Sequence, residues 1–110
     1  MRKIELQMIN AIAEKRHDWK SANTRVISND IRGTSEVYLH GNLIAVVSHS
    51  GGIQIMDGGW QSTTTKSRLN ALLSAFCPGA RVFAKRFEWF VSNGNKTQDF
   101  ESGMILKWGV

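Results

Sequence analysis

The chain has 110 residues, 42% of them hydrophobic, with one proline and one cysteine. That is the size of a single domain able to bury a sizeable core. The composition excludes a disordered chain, an internal disulfide and, with no run of about 18 apolar residues, a membrane-spanning helix. The formal net charge is +5 and unevenly spread: residues 1–33 carry seven cations and four acids, residues 34–64 no Lys or Arg, and residues 65–110 seven cations and three acids. A basic chain is biased toward polyanions or acidic partners. A core of this size calls for no metal or cofactor, and the lone Cys77 fits a reducing compartment.

Residues 3–18 read as an amphipathic helix, with Ile4, Met8, Ile9 and Ile12 at helical spacing and Trp19 anchoring the end. Glu5 and Asn10 interrupt the apolar stretch behind the leading cations, which makes it a poor signal peptide, so the expected location is cytosolic. Residues 24–28 form a short strand candidate before the turn-formers of 29–35. Residues 36–40 and 43–49 flank Gly41-Asn42 as strands flank a two-residue hairpin turn, and residues 53–56 return after Ser50-Gly51-Gly52. This is a three-stranded meander. Residues 65–76 read as a second helix with Leu69, Leu72, Leu73 and Phe76 on one face, stopped by Cys77-Pro78-Gly79. Residues 80–92 read as one long strand, residues 93–96 as a turn and residues 103–108 as a closing strand. The order α-β-β-β-β-α-β-β predicts a single α+β domain: an antiparallel sheet, made of the meander and a C-terminal hairpin, with two helices packed on it. Ile44, Val46, Leu69, Leu72, Phe76 and Trp89 are its expected core.

The inventory of reactive groups is thin. His17, His40 and His49 lack metal-ligand spacing, although His40 and His49 can face each other across the first hairpin. Cys77, at a helix end, reads as a small buried apolar residue. Glu36 and Asp57 are the only acids of the meander, and the glycine pairs lack the setting of a phosphate loop. No catalytic constellation is visible, and the expectation is a protein without enzymatic activity.

One stretch asks for more than packing: GGWQSTTTKSRLNALL, residues 58–73. Gly58 and Gly59 permit the bend from strand to helix, Trp60 is placed to cover the gap between sheet and helix against Leu69 or Leu72, and Ser62 to Thr65 supply four possible caps, with Thr64 the expected one. Capping has no use for Lys66 and Arg68, which fall in the first turn, where the macrodipole favours acids. Free N–H groups, hydroxyls and two cations make an anion site. Thr63, Thr64, Lys66 and Arg68 are its candidate residues, with Lys85 and Arg86 as neighbours.

The same residues carry a resemblance. The pattern GGW-x-T-x-TTK-x-RLNAL, together with Leu39 to Ala45 (LHGNLIA), Trp89-Phe90-Val91 and the run from Phe100 to Leu106, resembles a family of small uncharacterised proteins of tailed phages, over residues 35–106. The resemblance implies phage origin and action in a bacterial cytoplasm, and it implies no activity. A second likeness is of element order alone: α-β-β-β-α resembles double-stranded-RNA-binding domains, whose second helix also begins with cations that touch phosphates. The chain departs from them in lacking a lysine-rich helix start and a Gly-Pro-x-His loop, and in continuing with further strands.

Two functions therefore compete. The first is a module that contacts nucleic acid through the basic helix start and the strand RVFAKRFEWF, where Arg81, Lys85 and Arg86 flank Phe87 and Trp89. The second is an inhibitor or adaptor that binds a host protein through an edge strand or aromatic patch.

Overall fold

The computed structural model describes residues 1–107. It is an α+β arrangement of two helices and nine strands, the strands all antiparallel within two sheets. Helix α1 spans Lys3–Ala13 and ends five residues before the periodicity predicts. No apolar residue follows at 14–18 to hold another turn against the core. Lys15 instead takes a left-handed φ of 55°, and the Arg16 N–H reaches back to the Ala11 carbonyl at 3.0 Å, which closes the helix as a Schellman turn does.

Residues past α1 form strand β1 (Asp18–Ser21), which pairs with β2 (Thr24–Asn29); Trp19 lies in β1, opposite Val26. Then come β3 (Thr34–Leu39), β4 (Asn42–Ser48) and β5 (Ile53–Ile55). The β3–β4 turn is His40-Gly41, not Gly41-Asn42, because Leu39 pairs with Asn42; both turn residues take positive φ, 51° and 79°. His40 therefore sits at one end of this hairpin and His49 beyond the other, and they do not face each other. His49 Nε2 lies 2.8 Å from Ser35 Oγ instead.

Between Val37 and Tyr38 the β3–β4 register slips, so Ile44 and Ala45 both turn inward and the alternation resumes with Val47 buried. A bulge inverts the in-out pattern beyond it. Val46, expected in the core, is for this reason only half-buried on the opposite face. Ile44, Leu69, Leu72 and Trp89 are buried as expected, while Phe76 packs on the core's margin.

Helix α2 (Thr63–Phe76) follows, then β6 (Ala80–Lys85), β7 (Glu88–Asn93), β8 (Lys96–Asp99) and β9 (Met104–Leu106). The predicted long strand 80–92 is thus a hairpin, with Arg86-Phe87 as its two-residue turn. Residues 93–96 include the start of β8, which pairs with β7 in a three-stranded sheet β6-β7-β8. The closing strand does not join that sheet. It leaves to pair with β5, completing the larger sheet β1-β2-β3-β4-β5-β9. Trp108, placed in this strand by the sequence pattern, is outside the described residues.

Five strands separate the two helices, not three, so the order of a double-stranded-RNA-binding domain is not present. Both helices pack on one face of the large sheet, α1 against β2 and α2 against β4 and β5, and the helices touch each other. The small sheet closes over α2 through β6, where Asn70 exchanges two hydrogen bonds with the backbone of Val82, at 2.8 and 2.9 Å. One cluster of buried side chains, with Met8, Val26, Ile55, Leu72 and Val91 among them, draws on both helices and both sheets.

Candidate functional site

The α2 start is built in two halves, one facing inward and one outward. Ser62 is its N-cap: the Thr65 N–H donates to Ser62 Oγ at 3.0 Å, and the two hydroxyls lie 2.9 Å apart. The cap is therefore two residues before Thr64. Residues 63 and 64 occupy the first two helical positions, whose N–H groups have no partner within a helix. Thr63 is exposed, and Thr64 is half-buried. The first turn contains no acid.

Arg68 does not face solvent. The expectation of an exposed cation fails because residue 68 lies on the inward face, one residue before Leu69, and is 3% exposed. Its Nη1 donates to Glu5 Oε2 at 2.9 Å, its Nε to Thr24 Oγ1 at 3.1 Å and its Nη2 to Asn23 Oδ1 at 3.3 Å. Glu5 also accepts from Ser67 Oγ at 2.6 Å and, through Oε1, from the Arg2 N–H at 3.0 Å. Burial pushes the Glu5 carboxyl up, but the bonds from Ser67, Arg2 and Arg68 outweigh it and hold the group below its ordinary value. Because the helix starts at Thr63, Arg68 falls in its second turn, and its charge is matched by a carboxylate brought from α1. Lys66, half-buried, is the cation of the helix's first turn.

Outward of the cap lies a groove of about 410 Å³. The β3–β4 hairpin supplies Leu39, His40, Asn42 and Ile44 to it, and the turn into α2 supplies Asp57, Gly58, Trp60, Ser62, Thr64 and Thr65. Two of the four segments that carry the phage resemblance thus meet in one place. Gly58 makes the close approach possible: at φ 69° a Cβ there would come within 3.2 Å of both Asn42 Cβ and Ile44 Cγ2. Asp57 holds the turn by accepting the Gly59 N–H at 2.8 Å. Trp60 is not packed between sheet and helix against Leu69 or Leu72. It is 75% exposed, on the wall of the groove.

Lys85 and Arg86 are elsewhere, at the tip of the β6–β7 hairpin. With Glu88 and Phe90 they line a second concavity of about 370 Å³. Strand β6 runs back along α2: Ala80 follows the helix end and Val82 is bonded to Asn70 at mid-helix. Three further strand residues and the seven helix residues from 70 back to 63 each cover about 10 Å, which carries Lys85 toward the level of the helix start. The six candidate residues are therefore divided among an outward helix start, a buried ion pair and a hairpin tip.

Phe83 and Phe90, which the sequence pattern did not bring together, are cross-strand partners with ring centroids 5.7 Å apart. Reading 80–92 as one strand puts Phe83 on the face of Trp89; the two-residue turn instead puts it opposite Phe90. Trp89 is core, edge-on to Phe100. Cys77 is buried and burial raises its thiol pKa, which keeps it protonated. Among the described residues no three His, Cys, Asp or Glu side chains are placed to hold a metal ion, and no helix is long and apolar enough to cross a membrane.

A family model described as Kyanoviridae Gp96 protein matches residues 1–107, α1 included, so the likeness extends beyond residues 35–106. No curated protein and no solved structure matches the chain. The chain belongs to the Kyanoviridae Gp96 family, a family of phage proteins.

Proposed function

We propose that this member of the Kyanoviridae Gp96 family is a non-catalytic accessory protein that contacts nucleic acid in the cytoplasm of the infected bacterium. The observation that carries the reading is the exposed indole of Trp60 on a groove shared with the start of α2, where two backbone N–H groups have no helical partner and Lys66 supplies charge. An N–H pair at a helix start accepts a phosphate, and an indole beside it accepts the face of a base. Lys85 and Arg86, on the hairpin that runs toward the same end of α2, add phosphate contacts.

The test is equilibrium binding to DNA and RNA across a salt series. With about three cations engaged, log K should fall against log salt with a slope of roughly −2 to −3, and Lys66→Ala or Lys85→Ala should flatten it by somewhat under one unit. No binding at low salt removes this reading.

A second reading, adaptor or inhibitor of a host protein, is favoured by the apolar side of the same groove, where Leu39 and Ile44 lie beside Trp60. A solvent-facing Trp beside apolar side chains suits an inserted residue of a partner protein. Capture of one defined bacterial protein that survives nuclease and is lost in Trp60→Ala would favour it over the first.

A further inference from the structure

We infer that the outward face of the β6-β7-β8 sheet is a stacking platform for the unpaired bases of a single nucleic-acid strand. The inference rests on the nucleic-acid reading above and names its substrate class.

The face is defined by pairing. Val82 lies opposite Val91 and Ala84 opposite Trp89, and Val82, Trp89 and Val91 are buried toward α2. The alternate residues Arg81, Phe83 and Lys85 of β6 and Glu88 and Phe90 of β7 therefore point the other way. On that face Phe83 and Phe90 form a stacked, half-buried pair with an interplanar angle of 28°, and Phe90 lines the concavity at the hairpin tip. Arg81 and Lys85 flank Phe83 along β6. None of Arg81, Lys85 and Arg86 is in an ion pair among the described residues.

The hairpin tip extends the face. Arg86 and Phe87 take φ of 54° and 67°, the mirror-image turn that Asn-Gly normally fills. Phe87 is fully exposed and buries nothing in return for that strain. Strain that packing does not explain points to function. Beside it lies the concavity of about 370 Å³ lined by Lys85, Arg86, Glu88 and Phe90.

The charges decide what kind of nucleic acid fits. Glu88 stands opposite Lys85 and Asp99 opposite Phe90, so the face is only weakly positive and phosphate attraction alone is small. Affinity must come from aromatic faces. A duplex hides its base faces in its own stack, whereas an unpaired strand presents them. The two carboxylates are placed to accept from exocyclic amines, which only splayed bases bring within reach on this face.

The experiment measures anisotropy of labelled single strands, oligodeoxycytidine and oligocytidine, whose bases carry an exocyclic amine, against a duplex of equal length. Wild type should bind a single strand at least about tenfold tighter than the duplex. Phe87→Ala and Phe90→Leu should each weaken single-strand binding roughly five- to a hundredfold, leave the salt slope unchanged and leave duplex binding unchanged. Phe87→Ala should keep the wild-type melting temperature, since the ring touches nothing, so its loss of affinity cannot be ascribed to unfolding. Equal affinity for duplex and single strand, or wild-type affinity in both Phe variants, overturns the platform and leaves the nucleic-acid reading standing. No binding to either form overturns both.

Discussion

Glu5 and Arg68 are buried together, at 2% and 4% side-chain exposure, and every buried side-chain nitrogen and oxygen among the described residues has a partner. Removing one member leaves the other charged in the core. Arg68→Met should cost about 3–5 kcal/mol in urea unfolding, and Glu5→Leu combined with Arg68→Met should recover much of that loss. The pair also gives the protein an acid limb. The folded Glu5 carboxyl sits below its ordinary value of 4.5, so its contribution is complete above that pH and is lost as pH falls through the lower folded value. Stability measured between pH 6 and pH 3 should fall less steeply in the double variant than in wild type. The cap makes a smaller claim: Ser62→Ala should cost roughly 0.5–2 kcal/mol, and Thr64→Ala less, because Ser62 alone accepts the Thr65 N–H. Equal losses at the two positions would mean that the cap is shared.

Two hairpins show opposite solutions to the same turn. His40-Gly41 places its glycine at the second positive-φ position, while Arg86-Phe87 has none. Replacing the second pair by Asn and Gly (R86N/F87G) relieves the strain. It should raise the melting temperature by a few degrees, corresponding to about 1 kcal/mol, and weaken single-strand binding at the same time. A variant that gained stability with full binding would show the tip to be incidental. Helix α2 is held from both sides, by the large sheet and by β6, and Leu72 is fully buried between them. Leu72→Ala should cost on the order of 2–5 kcal/mol; a loss below 1 kcal/mol would mean that the helix face relaxes to fill the space.

At the level of the whole molecule, the small sheet is tied to the large one by shared packing on α2 and by the chain's return through β9 to β5. Helix α1 belongs to the same unit, since it supplies Met8, Ile12 and the carboxylate for Arg68. Deleting residues 1–16 should abolish cooperative unfolding rather than yield a stable fragment, which thermal circular dichroism would read. Local sequence pattern was enough for the two helices as elements, the helix stop at Cys77 and the hairpin of β3 and β4, but it merged β6 and β7 into one strand. These follow from periodicity and turn chemistry, which act over a few neighbouring residues. The partner of Arg68 was not legible, because it stands 63 residues away in the chain. Nor was the face on which Phe83 lies: Arg86 and Phe87 carry no turn signature, and a two-residue turn missed in a strand reverses the facing of everything before it. The departure of β9 to the other sheet was decided by an open edge at β5, and an open edge exists only once the meander has folded.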